Sequence, residues 1–190
     1  MACKCNGKCK NKNQCCVIEH GMIGFVSTNK SNSILTRAIK FFERSMWNHV
    51  FLVIELNGKL MAFEEGTLWG ITVSPLDDYL IAEEEGKYTL AFAKLKNIPG
   101  AKIQKDKNKM TDFCLSMVGK EPYGFWHLFL QIPRQILQNI GVDWKYKARG
   151  YVCSTLVAYV LNKFYGVFKN WESLSPDDIH ESDEIIFINR

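Results

Sequence analysis

With 190 residues, the chain is long enough for one domain with a proper hydrophobic core and short for two. Its 47% hydrophobic and 23% charged residues are those of a folded globular protein, which excludes a wholly disordered or fibrous chain. The net charge of +4 comes from 24 basic against 20 acidic residues, and Lys4, Lys8, Lys10 and Lys12 against Glu19 place +3 of it in residues 1–20. The remainder is nearly neutral and lacks the broad basic field that drives nucleic-acid affinity, so no nucleic-acid partner is expected of the globular part.

The longest apolar stretches, such as Thr155 to Leu161, fall far short of the roughly 18 residues needed to cross a bilayer. The first twenty residues hold no apolar signal core. The expected setting is cytoplasmic, or a particle assembled there such as a virion. Five of the seven cysteines (Cys3, Cys5, Cys9, Cys15 and Cys16) crowd the first sixteen residues, while Cys114 and Cys153 stand apart in the body. An odd total without a signal core argues against a disulfide scaffold. The clustered thiols read first as part of a solvated lysine-rich tail and second as a Zn²⁺ site with His20 as an extra ligand, although the spacing is not that of paired zinc knuckles. The lysines of the same stretch suit peripheral contact with an anionic membrane surface. We divide the chain into a tail, residues 1–19, and a globular domain, residues 20–190.

In chain order, the glycine-flanked apolar run Gly21 to Ser27 predicts a strand. Ser31-Asn32-Ser33 offers cap oxygens for a helix whose apolar face is Ile34, Leu35, Ala38, Ile39 and Phe42. Two β-rich runs, His49 to Leu56 and Lys59 to Glu65, flank Asn57-Gly58, the strongest two-residue hairpin signal in the sequence. A short run, Ile71 to Val73, and a strand over Tyr88 to Leu95 follow, and Pro99-Gly100 breaks the chain. Helical patterns cover Lys105 to Val118, Phe125 to Ile140 and Val152 to Phe164. Ser175-Pro176-Asp177-Asp178 reads as a helix or turn start, and Glu184 to Ile188 as a last strand. Segregated strands and helices predict an α+β fold with a mainly antiparallel sheet.

The hairpin fixes a geometry. If Asn57 and Gly58 are its loop, Leu56 faces Lys59, Val53 faces Ala62 and Phe51 faces Glu64, so His49 lies one diagonal step from Glu64 on the same side of the sheet. Phe51, Val53 and Ala62 make that the apolar face, and Glu65 points the other way. A carboxylate on a histidine nitrogen fixes the tautomer and stabilises the imidazolium. Taken singly, His49 reads as a satisfied core or edge histidine and Glu64 as a rim carboxylate. Cys153 stands at the start of a predicted helix, just after Gly150-Tyr151-Val152, where backbone N–H groups and the helix dipole favour a thiolate and donate to a developing oxyanion. On composition alone it reads first as a small core residue beside Val157 and Val160, as does Cys114.

Four segments, GMIGFVSTNKSNSILTRAIKFFERSMWNHVFLVI, LMAFEE, YVCSTLVAYVL and LSPDDIHES, together resemble the circularly permuted papain-like enzymes, the YiiX-like branch of the NlpC-type cysteine peptidase superfamily. The likeness spans about residues 20 to 188, in the permuted order of histidine strand, polar residue on the next strand and cysteine helix last. It implies a permuted papain-like (NlpC-type) fold in which Cys153 is the nucleophile, His49 its general base and later acid, and Glu64 the group that orients His49. The implied chemistry is cleavage of an amide or ester bond through a thioester acyl-enzyme, without a cofactor, on a peptidoglycan-type peptide or a lipid-linked acyl substrate. GKEPYGFW resembles the family segment that sets a tyrosine beside the site, here Tyr123, but departs from it at Gly124. The aromatic run Phe125, Trp126, Phe129 and Leu130 reads as core or as an acyl groove. The alternative to an enzyme is a non-catalytic scaffold of the same fold whose cysteine-rich tail captures a metal or a partner.

Overall fold

The computed structural model describes residues 18–28, 46–66, 70–119 and 152–188. The predicted helix over 34–42, the tail cysteines and lysines, Tyr123 and the aromatic run from Phe125 lie outside them. The hairpin is the element on which the others are laid. Strands β2 (His49–Leu56) and β3 (Lys59–Gly66) pair with Leu56 opposite Lys59 and Val53 opposite Ala62, the register that the Asn57-Gly58 loop dictates. Asn57 and Gly58 both take positive φ, 51° and 75°, the backbone of a type I′ turn, whose twist matches that of the flanking strands.

Strand β1 (Ile23–Thr28) pairs with the free side of β2, and β4 (Gly70–Pro75) with that of β3. Strand β5 (Tyr88–Leu95) adds to β1, and β6 (Ile185–Ile188) to β5, giving six strands in the order β4-β3-β2-β1-β5-β6 with every pairing antiparallel. Helix α1 (Leu76–Glu84) follows β4 directly through Pro75, and α2 (Gly100–Met117) follows β5. Helix α3 (Cys153–Tyr165) ends on Gly166, whose left-handed φ of 71° closes it. A 3₁₀ turn over Trp171–Ser173 leads to the short helix α4 (Pro176–His180), capped reciprocally by Ser175 and Asp178. The described residues thus form an α+β fold with a six-stranded antiparallel sheet, and no helix among them is long and apolar enough to cross a membrane.

Two departures from the sequence reading have physical causes. Helix α1 was not expected: only Leu76 of its nine residues is buried, so the helix carries almost no apolar periodicity. Helix α2 begins at Gly100, five residues before Lys105, and Pro99 caps it instead of breaking the chain. Its first turn is mostly exposed, whereas Ile103, Met110, Cys114 and Met117 form the buried face.

Both faces of the sheet are covered. On one, Ile23, Phe25, Val50, Leu52, Ile54 and Phe63 pack against residues of α2, α3 and α4. On the other, Val26, Phe51, Val53, Ala62 and Phe92 pack with Leu76, Tyr79 and Leu80 of α1. Alternate residues of β2 therefore enter two separate apolar layers, which explains why Val50 to Ile54 are all fully buried. Gly24 stands opposite Phe51, and a Cβ there would lie 2.2 Å from the Phe51 ring. The absent side chain is what lets the ring lie flat over β1. Gly24→Ala is expected to destabilise the fold by about 1–3 kcal/mol, the usual cost of overpacking a filled core, and urea unfolding of the two proteins measures it.

Candidate active site

His49 is the first residue of β2, and the residue before it fastens that strand end. The Asn48 amide accepts from the Thr28 N–H at 2.7 Å and donates to the Thr28 hydroxyl at 3.1 Å, while its own N–H donates to the Val26 carbonyl at 3.0 Å. The end of β1 and the start of β2 are locked together, and the imidazole projects from the locked point.

The diagonal pairing inferred from the register brings His49 Nε2 to 2.7 Å from Glu64 Oε2. The side chains are 21% and 11% exposed, respectively, so the contact is largely desolvated. Glu64 is held on both oxygens. The Ser74 hydroxyl donates to Oε1 at 2.6 Å, and the Tyr79 hydroxyl donates to Oε2, the oxygen that also meets His49. The Tyr79 ring lies nearly parallel to the imidazole, at 10° with centroids 6.5 Å apart, and packs on Phe51 at 4.6 Å.

Cys153 opens α3, half-buried against the apolar layer that holds α2, α3 and α4, with its thiol free of any disulfide. The thiol is near enough to the His49 ring to raise its affinity for a proton. Glu64 occupies Nε2, so Nδ1 is the ring nitrogen left to a further partner. Thr155 caps the helix start: its hydroxyl accepts from the Val152 N–H at 2.9 Å and donates to the Val152 carbonyl at 3.1 Å. The Ser154 hydroxyl donates to the Leu174 carbonyl at 2.6 Å, tying the same turn to the segment that enters α4.

The electrostatics follow from these contacts. Burial works against a charged His49 ring, but its hydrogen bonds to Cys153 and Glu64, and their charges, outweigh burial and push it up to about 10. Burial likewise favours a neutral Glu64, yet the His49 bond and charge, with the Ser74 and Tyr79 hydroxyls, hold it below the usual carboxylate range. Tyr79 is driven well above the ordinary phenol value by burial first and by the Glu64 charge second, so it stays a donor. Cys114 is fully buried in α2 with its thiol pushed up to about 12 by desolvation, a core residue.

The structure therefore brings together His49, Glu64 and Cys153, three residues drawn from two strands and a distant helix. Sequence reasoning missed Ser74, Tyr79 and Asn48. A cue for the first two existed: Ser74-Pro75-Leu76-Asp77-Asp78 nearly repeats the Ser175-Pro176-Asp177-Asp178 helix start. His20, set apart as an extra metal ligand, is buried with Nδ1 accepting from the Glu55 N–H at 3.1 Å.

No family model matches the chain, and no curated protein matches it. Among solved structures, the chain is similar to the metalloprotein YiiX from Escherichia coli O157:H7, with a TM-score of 0.61 and 16% identity over 90% of this chain and 97% of that one. At that identity the likeness is one of fold. The described residues do not fit a resident metal. No group of three or more His, Cys, Asp and Glu side chains among them is placed to hold one, and His49 Nε2 and both Glu64 oxygens are taken by each other, Ser74 and Tyr79.

Removing the imidazole leaves a desolvated carboxylate without its charged partner, so His49→Gln is expected to cost roughly 2 kcal/mol at about pH 6. In the unfolded chain the ring loses its proton near its ordinary 6.5, and in the folded one near 10. The stabilisation is thus complete below the first value and disappears as pH rises through the second. Urea unfolding of both proteins across this range should show the gap narrowing towards alkaline pH; a gap that stays constant contradicts the assignment.

Proposed function

We propose that the chain is a cysteine-dependent amidase or acyltransferase of permuted papain-like fold, with Cys153 as nucleophile, His49 as base and acid, and Glu64 orienting His49. The observation that supports the reading is one imidazole, 2.7 Å from a buried carboxylate and close enough to the Cys153 thiol for that group to raise its proton affinity. The chemistry follows from that arrangement. The thiol proton moves to His49 Nδ1, and the sulfur electron pair forms a bond to the carbonyl carbon of an amide or ester. The carbonyl π pair moves onto oxygen, to which N–H groups at the start of α3 can donate. As the tetrahedral adduct collapses, the bond to the leaving amine or alcohol breaks, and that group takes the proton from His49. The thioester left on Cys153 is resolved by water or by another acceptor, which His49 deprotonates in turn.

Peptidoglycan-type peptides and lipid-linked acyl groups are the substrate classes that the family likeness suggests. They share a carbonyl carbon bonded to nitrogen or oxygen, which is all that the three residues require.

Alkylation by iodoacetamide tests the Cys153–His49 pair directly. At about pH 6 an unassisted thiol is almost wholly protonated, so Cys153 should react at least about tenfold faster in the wild type than in His49→Ala. Equal rates would sink the enzyme reading and leave a folded binding module. Intact-mass measurement after incubation with cell extract should then show an acyl adduct that Cys153→Ala lacks, and its mass names the substrate class.

A further inference from the structure

We propose that Ser74 and Tyr79 are positioning residues: together they hold the Glu64 carboxylate ionised and aimed at His49 Nε2–H, and so decide which ring nitrogen is offered to Cys153. The inference rests on the catalytic reading above and goes beyond it, since neither residue touches the sulfur or an incoming carbonyl.

A carboxylate with a single donor in a mostly apolar layer has two ways out: it rotates about its last bond, or it takes up a proton. Both are closed here. Ser74 occupies Oε1, and Tyr79 shares Oε2 with His49, so the plane of the group is fixed from two sides. The two hydroxyls are five residues apart and come from one stretch of backbone. Ser74 is next to last in β4, Pro75 turns the chain, and Tyr79 lies in the first turns of α1. Strand β4 is the neighbour of β3, with Thr72 opposite Glu64, so the junction passes directly over the carboxylate. The Tyr79 ring is itself held, between Phe51 at 4.6 Å and Tyr88 at 5.9 Å. This also gives α1 a purpose that its sparse burial does not: it delivers a phenol.

The ionisable groups around Glu64 are His49 from β2 and Tyr79 from α1, with Cys153 of α3 acting on both of these and Tyr88 of β5 behind Tyr79. The contribution from β4 is the neutral hydroxyl of Ser74. Loss of either hydroxyl leaves the surrounding charges unchanged and removes one charge-assisted donor from the anion.

The test reads Glu64 itself. The ¹³C carboxyl resonance of Glu64, assigned by its loss in Glu64→Gln, is titrated in the wild type, Tyr79→Phe, Ser74→Ala and Ser74→Thr, beside the pH profile of Cys153 alkylation. Tyr79→Phe and Ser74→Ala should each raise the Glu64 midpoint by about one pH unit, tenfold in proton affinity. Ser74→Thr, which restores the hydroxyl, should return it to the wild-type position. A purely structural role would lower the unfolding midpoint in urea and leave the titrations where they are. Unmoved Glu64 midpoints in a protein whose Cys153 still depends on His49 overturn the clamp alone. A wild type whose Cys153 gains nothing from His49 overturns the catalytic reading, and any positioning role with it.

Discussion

A carboxylate in an apolar layer has lost water that is worth several kcal/mol to an ion, and a fold keeps such a group charged only by surrounding it with donors of its own. Glu64 sits where this demand shapes everything nearby. It shares the sheet face of Phe51, Val53 and Ala62, and its two oxygens collect an imidazole, a phenol and a serine hydroxyl. Each donor comes from a different position along the chain, so β2, β4 and α1 must all be in place before the anion is satisfied. The histidine benefits reciprocally. Held by the carboxylate at Nε2, it gains proton affinity from Glu64 and from the nearby Cys153 of α3.

How far this was legible varies by residue. Asn57-Gly58 specifies a turn, the turn specifies a register, and the period of two then places His49 and Glu64 on one face and Glu65 on the opposite one. Those steps are local and hold in the structure. Cys153 at a helix start was legible for the same reason: a glycine upstream and an apolar run downstream bound the helix. The meeting of Cys153 with His49 was not, because it depends on long-range packing that leaves no local pattern. Tyr79 escaped the periodicity of the sequence for another cause. Helix α1 is anchored by Leu76 and by contacts around one phenol, with acidic residues at both ends, so neither amphipathic spacing nor helix-dipole complementarity betrays it. Nor did the sequence disclose that both sheet faces are covered, which turns Val50 to Ile54 into a continuous buried run.

The two layers also divide the labour of the site. The face under α1 holds the histidine, the carboxylate and their supports, whereas α3 belongs to the opposite layer. They meet where β2 begins, at the Asn48 clamp on Thr28. A site at a strand end, built from both faces, draws its rigidity from the whole sheet, and similarity of fold to YiiX at 16% identity leaves its particular donors to be set by this chain alone.

The adjacency of Glu64 and Glu65 makes the distant hairpin loop a selector. Shortening that loop by one residue on the β3 side would slide the strand by one step and hand the imidazole the other glutamate. The same slide would expel Phe63 from the layer beneath α3, where it is wholly buried. A bulky aromatic, with no chemistry of its own, thereby acts as the ratchet tooth that keeps the right carboxylate in gear.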